Sequence, residues 1–318
     1  MKNSILFAMA ALVATGTVHA KPIDFSKVSA QSNWVMHADF DALRKSEVGS
    51  FIVAKVKEDP EAAKGIAMLQ AVFGLDIEAI SSFTAYGRGE ADKGIFAVKG
   101  GFDAERLLPM LELNESYVAK KHGDTIIHLI DQNKGDPKAM AFTAKDELIV
   151  SSTVRYTEHG LDVGTGKEPS LKPKGIHKVL AETLSHSVLT VAVDVKGVAE
   201  FNKPSNGPEA VIIQKTDAIG LVVGEQGDML MASVVLQTAD EATAKHVENI
   251  ARGFTSLLAL GADMEPELAE LMAKTKTQVS RKGQIVSVKL GIDIKTVKET
   301  ITKEMDKKRA NKNDSGLD

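Results

Sequence analysis

The chain has 318 residues, 43% hydrophobic and 26% charged, with a net charge of −4 and no cysteine. This is the composition of a globular protein, and it excludes thiol catalysis, cysteine-ligated zinc, iron–sulfur clusters and disulfides. With eleven Phe, three Tyr and one Trp in a slightly acidic chain, neither a basic stripe nor a set of stacking rings is available, so no nucleic-acid partner is expected.

Met1-Lys2-Asn3 makes a short positive start, followed by an apolar stretch from Ile5 to Val18. Val18-His19-Ala20 then puts small residues at the −3 and −1 positions before Lys21. This is the pattern of a secretory signal over residues 1–20, cleaved between Ala20 and Lys21. The stretch is short for a bilayer span and no longer apolar run follows, so no membrane span is expected. Export without cysteine suits a bacterial envelope, periplasmic or secreted.

Alternation marks a first strand at Trp34–Phe40, with Trp34, Met36, Ala38 and Phe40 on one face and His37 and Asp39 facing outward. A helical stretch follows, with Asp41 or Ser46 as its cap. Its second part runs from Glu61 to Phe73 and stops at Gly74. Strands are expected at Ser82–Gly87 and Ile95–Lys99, then a helix from Asp103 to Leu113. Tyr117–Lys121 and Thr125–Ile130 flank His122-Gly123-Asp124 as a hairpin, and Ala139–Ala144 with Glu147–Ser151 form another. Gly164, Gly166, Pro169 and Pro173 punctuate a connection over Leu161–His177.

The second half replays this order. Val188–Val195 reads like the first strand, with Asp194 standing 155 positions after Asp39. Ala218–Gly224 and Met229–Leu236 pair through a Gly227-Asp228 turn. Gly224 follows Gly87 by 137 positions and Val234 follows Val98 by 136, the near-constant offset of an internal repeat. Thr238–Glu241 reads as a capping box, and Thr277–Arg281 with Gln284–Leu290 as a closing hairpin. The expected fold is α+β: two copies of a β-α-β-β-α-β-β unit with mainly antiparallel sheets and helices on one face. The first copy, with its extra hairpin and connector, spans 21–180 and the second 181–305. Residues 306–318 are expected to form a polar tail.

Several segments resemble uncharacterised secreted α/β proteins of Gram-negative and related bacteria. They are Ala38–Ser46, Phe73–Ile77, Gly101–Leu108 and Leu161–Leu171, mostly in the first half. The resemblance implies an exported two-copy α/β protein and brings no catalytic residues with it.

Local signatures of chemistry are missing. Gly164-Thr165-Gly166-Lys167 lacks both the first glycine and the final Ser or Thr of a phosphate loop, and reads as a helix-ending turn. Gly220, Gly224 and Gly227 belong to a hairpin, not to a dinucleotide fingerprint. There is no G-x-S-x-G elbow and no H-E-x-x-H. His37 and Asp39 form the best polar pair, about 7 Å apart along a strand, and a solvated strand face is the plainer reading of them. His128 reads as a hydrogen-bonded core histidine, His122 as part of a turn, and Asn114-Glu115-Ser116 as a formal sequon. From Lys295 to Lys312 basic residues outnumber acidic ones, suiting either a helix C-terminus or contact with an anionic surface. The apolar stretch from Phe254 to Met272 suits a core, or the lining of an acyl-sized cavity or partner surface.

No catalytic, cofactor-binding or metal site is assigned, and no cofactor is expected. The leading expectation is a non-enzymatic binding or scaffold module of the bacterial envelope, its partner an unknown protein or an apolar ligand. The alternatives are a hydrolase with a scattered site around His37 and Asp39, and a carrier of an apolar ligand.

Overall fold

The computed structural model describes residues 22–90, 93–130, 138–184, 186–198, 208–259 and 273–314. The expected signal-cleavage pair Ala20 and Lys21, and the part of the 254–272 stretch beyond 259, lie outside these residues. The strands are β1 Trp34–Asp39, β2 Ile80–Gly87, β3 Ile95–Gly100, β4 Tyr117–His122, β5 Thr125–Ile130, β6 Lys138–Ala144, β7 Glu147–Ser151, β8 Ser187–Asp194, β9 Ala218–Gln226, β10 Met229–Gln237, β11 Lys276–Lys282 and β12 Ile285–Asp293. They form one antiparallel sheet in the order β11-β12-β10-β9-β8-β1-β2-β3-β7-β6-β5-β4. The seam is the β1–β8 pair, Trp34 opposite Val193 and His37 opposite Thr190. A first wing runs outward from β1 to β4 and a second from β8 to β11.

The helices are α1 Phe40–Lys45, α2 Glu47–Glu58, α3 Pro60–Phe73, α4 Ala104–Glu112, α5 Val154–Gly164, α6 Ile176–Thr183, α7 Pro208–Gln214, α8 Glu241–Ala259 and α9 Ile294–Asp314. They cover both faces of the sheet, not one as expected. The connector between the halves folds into α5 and α6, and the expected boundary at residue 180 falls inside α6. Asp39 caps α1 by accepting from the Ala42 N–H at 2.9 Å, and Ser46 caps α2. Asp41 pairs with Arg44 instead. Helix α3 starts with Pro60 in its first turn and ends where Gly74 takes φ +63°. Helix α8 is capped by Asp240 through the Thr243 N–H at 2.7 Å, while Thr238 turns its hydroxyl to the Gln284 carbonyl. Helix α9 continues to Asp314 through the expected polar tail.

The registers assign side chains to two faces. The front carries Val35, His37, Tyr86, Ile95, Ile149 and Ala192; the back carries Trp34, Met36, Phe83, Phe96, Val98 and Phe142. On the front, Val28 and α6 residues Ile176 and Leu180 close over Val35, Tyr86, Ala192, Val222 and Val235. Helix α5 packs Leu161 on Ile127, Ala139, Ala141 and Ile149. On the back of the second wing, Ala244, Val247 and Ala251 of α8 meet Leu236, Val279 and Val286.

Candidate functional site

His37 and Asp39 do not face solvent: they are 7% and 1% exposed. The alternation that placed them outward holds for a strand with one covered face. Here β1 is central, and the N-terminal segment with α5 and α6 covers its other side. His37 Nδ1 lies 2.8 Å from the Thr84 hydroxyl across the β1–β2 ladder. Asp39 is engaged as the cap of α1.

His37 lines a front-face cleft of about 360 Å³; Asp39 is not among its lining residues. The cleft's floor is His37, Thr84, Ala97 and Ile149, and its roof is formed by α5 and the segment from Pro22 to Lys27. Gly160 brings α5 close, since a Cβ there would meet Ile95 Cδ1 at 3.2 Å. At the mouth Lys27 Nζ reaches both oxygens of Glu147, at 2.8 and 2.5 Å, and so ties the N-terminal segment to β7. Asp24 accepts from the Ser26 N–H and hydroxyl. Tyr86, only 3% exposed, also lines the cleft. Burial pushes its phenol well above the ordinary tyrosine range, and among the described residues its hydroxyl has no hydrogen-bond partner. Sequence reading missed Lys27, Tyr86, Thr84 and Glu147, because only the strand register and the fold of the N-terminal segment bring them to His37.

The other sequence candidates have structural roles. Gly164–Lys167 is the turn after α5, with Gly166 at φ +76°. Gly227, at φ +60°, turns the β9–β10 hairpin. His128 is buried with Nδ1 2.9 Å from the Tyr117 hydroxyl. Burial holds its imidazole below the ordinary histidine range, and the charge of Glu112 acts in the opposite direction. His122, at the end of β4, bonds Asp162 of α5 at 2.9 Å, and that bond holds the Asp162 carboxyl below its ordinary range. Asn114 closes its own turn by accepting from Ser116. Lys298 of α9 pairs with Glu47 and lies 5.9 Å from the centre of the Phe51 ring. Among the described residues no group of three or more His, Asp or Glu side chains could hold a metal ion, and no helix is long and apolar enough to cross a membrane.

The back face of the first wing is different in kind. Phe83 and Phe96 stack with centroids 6.1 Å apart, yet Phe96 is 39% exposed and Ile126 50%. Trp34, Met36, Val98, Met140, Phe142 and Val150 are half-buried. Helix α4 connects β3, inside the wing, to β4 at its edge, and α5 already occupies the front. Its last residue, Glu112, acts on His128, which points from the back. Helix α4 therefore lies on the back side, next to the edge strand β4 and helix α3. It has no buried residue, and its Leu107, Leu108 and Leu111 are half-buried. Beside it, α3 leaves Met68 61% exposed. Both surfaces are apolar and both are incompletely covered.

No protein-family model matches the chain, and no curated protein does. Solved structures of TP0453 in crystal forms I, III and IV are similar to it at 8% sequence identity, with TM-scores of 0.45, 0.47 and 0.48. Each covers 89% of this chain, and 98%, 99% and 97% of the respective TP0453 chain is covered.

Proposed function

We propose that the chain is an exported, non-enzymatic binding module of the bacterial envelope that holds an apolar chain between the back of its first wing and helices α3 and α4. The observation that carries this reading is that two apolar surfaces on the same side are left incompletely covered: Leu107, Leu108 and Leu111 of α4, and Val98 and Phe142 of the sheet, are half-buried, and Phe96 is exposed. Fully burying a large apolar side chain is worth roughly 1.5–3 kcal/mol, so a layer left open forgoes about half of that at each position. A slender apolar ligand lying along this incompletely covered surface would recover it. Export is supported by the residue pattern of 1–20. The hydrolase alternative gains nothing from the front cleft, where His37 Nδ1 is bound to Thr84 and Glu147 to Lys27.

The two-copy reading is part of the same proposal. From the seam outward, β1-β2-β3 and β8-β9-β10 follow the same order, and each wing ends in a hairpin, β5-β4 or β12-β11. On this reading the β6–β7 hairpin is an insertion that widens the first wing and with it the apolar back face.

The test is titration of the protein with a fluorescent long-chain fatty acid. Saturable binding at one site, weakened at least tenfold by Phe96→Asp in a variant with unchanged circular dichroism, supports the reading. Absence of saturable binding would refute it.

A further inference from the structure

On the front, the N-terminal segment lies between two cavities. Pro22, Asp24 and Lys27 line the cleft over His37, while Pro22, Ile23 and Phe25 line a smaller cavity of about 100 Å³ beside α6. The floors of the two cavities are neighbours in the sheet. His37, in the first, stands opposite Thr190, in the second, across the β1–β8 ladder. One groove therefore crosses the seam, and residues 22–27 divide it.

The chain is attached differently before and after Val28. Up to that point, among the described residues, its backbone bonds only to itself: the N–H groups of Phe25, Lys27 and Val28 donate to the carbonyls of Ile23, Asp24 and Phe25, and that of Ser26 to the Asp24 side chain. From Val28 on it is built into the body. Val28 is fully buried, its carbonyl accepts from the Leu171 N–H at 2.7 Å, and the Ala30 N–H donates to the Pro169 carbonyl at 3.0 Å. Residues 22–27 are tied down by side chains: Lys27 on Glu147, the Phe25 ring 5.2 Å from that of His177, and Ile23 and Phe25 packed on the front core. The segment can thus leave without breaking a backbone hydrogen bond to the sheet or to a helix, and a unit held in this way opens at lower free energy than the body.

We propose that residues 22–27 are a hinged strap, which swings about Val28 while the rest of the fold stays intact and so gates the front groove. Opening joins the cavities over His37 and Thr190; closing parts them. The strap is on the opposite side of the sheet from the apolar seat, and the inference is independent of that seat. The chain has no cysteine, so a single introduced thiol can report the motion. Ala192→Cys, at a position 2% exposed in the lining of the smaller cavity, reports strap opening, and Ala244→Cys, at a position 0% exposed in α8, reports unfolding of the body. Each variant is labelled with a maleimide over a range of urea concentrations and followed by mass. The Ala192→Cys variant should react at least tenfold faster than the Ala244→Cys variant and with a much weaker dependence on urea, since local opening exposes little surface. Adding Phe25→Ala should speed its labelling at least tenfold, and Lys27→Ala several-fold. Val247→Ala, which loosens α8, should speed labelling of the Ala244→Cys variant alone. Should Phe25→Ala fail to fold, Lys27→Ala decides the same point. Equal rates with equal urea dependence for the two thiols, or indifference of the Ala192→Cys variant to the strap substitutions, overturns the proposal.

Discussion

Helices α4 and α8 each follow the third strand outward from the β1–β8 seam and each lead to an edge hairpin, yet they settle on the sheet differently. Helix α8 sets Ala244, Val247 and Ala251 against Leu236, Val279 and Val286, all buried. Its two alanines let the backbone come close, and nineteen residues give the apolar stripe room to repeat. Helix α4 has nine residues, an internal Pro109 and leucines in place of alanines on its apolar side. The proline removes a helical N–H and limits regular packing, and Leu113 just beyond the helix is 84% exposed. One wing therefore has a closed layer that stabilises the fold, and the other has an open layer of the same polarity. An open apolar layer in an otherwise well-packed sheet is where a ligand would complete the structure.

The contrast is most easily broken by charge. Val247→Asp should cost more than about 4 kcal/mol or prevent folding, since it buries a carboxylate with no partner. Leu108→Asp on α4 should cost less than about 1 kcal/mol in urea unfolding. Equal costs would mean that both layers are closed. A smaller effect sharpens the difference between the clamped front and the open back. Lys27→Ala leaves the Glu147 carboxylate, 12% exposed, without its cation, and should cost about 1–2 kcal/mol; adding Glu147→Gln should restore part of it. No recovery in the double variant would show that Lys27 acts through packing alone.

The smallest expected effect is that of pH. Burial holds the imidazoles of His128, His159 and His177 below the ordinary range. Unfolded histidines titrate near pH 6.5, so above about that pH both states are neutral and these residues contribute nothing. As pH falls from there toward the lower folded values, the unfolded chain binds more protons and stability declines. His128→Gln should reduce that decline by less than about 1 kcal/mol between roughly pH 7 and 5.5. An unchanged slope would place His128 in contact with water, and the back face beside it would then be more open than described.

Much of the sheet was legible from local pattern. The hairpins over 117–130 and 139–151 come out within a residue of their expected bounds, because Gly123 and the Lys145-Asp146 turn interrupt clear strand runs. The helices α5 and α6 were not legible: glycines and prolines at 164–175 mark their ends and hide the two short helices that they separate. That omission inverted the reading of β1. Without α5 and α6 nothing covers the front, and His37 and Asp39 fall on the wet side by alternation alone. The front cleft depends on pairs such as Lys27 with Glu147, 120 positions apart, and no spacing rule reaches that far. The apolar chemistry of the first wing's back face could be read from the sequence; its incomplete cover could not, since exposure depends on how closely α4 approaches.

The most direct test of the apolar seat is photo-crosslinking with a fatty acid carrying a diazirine near the end of its acyl chain, followed by peptide mapping. The label should fall on β3 and α4, around Phe96, Val98, Leu108 and Leu111, and be displaced by unlabelled fatty acid. Label concentrated on α8 or on the front face, or spread over the surface without competition, would contradict the account.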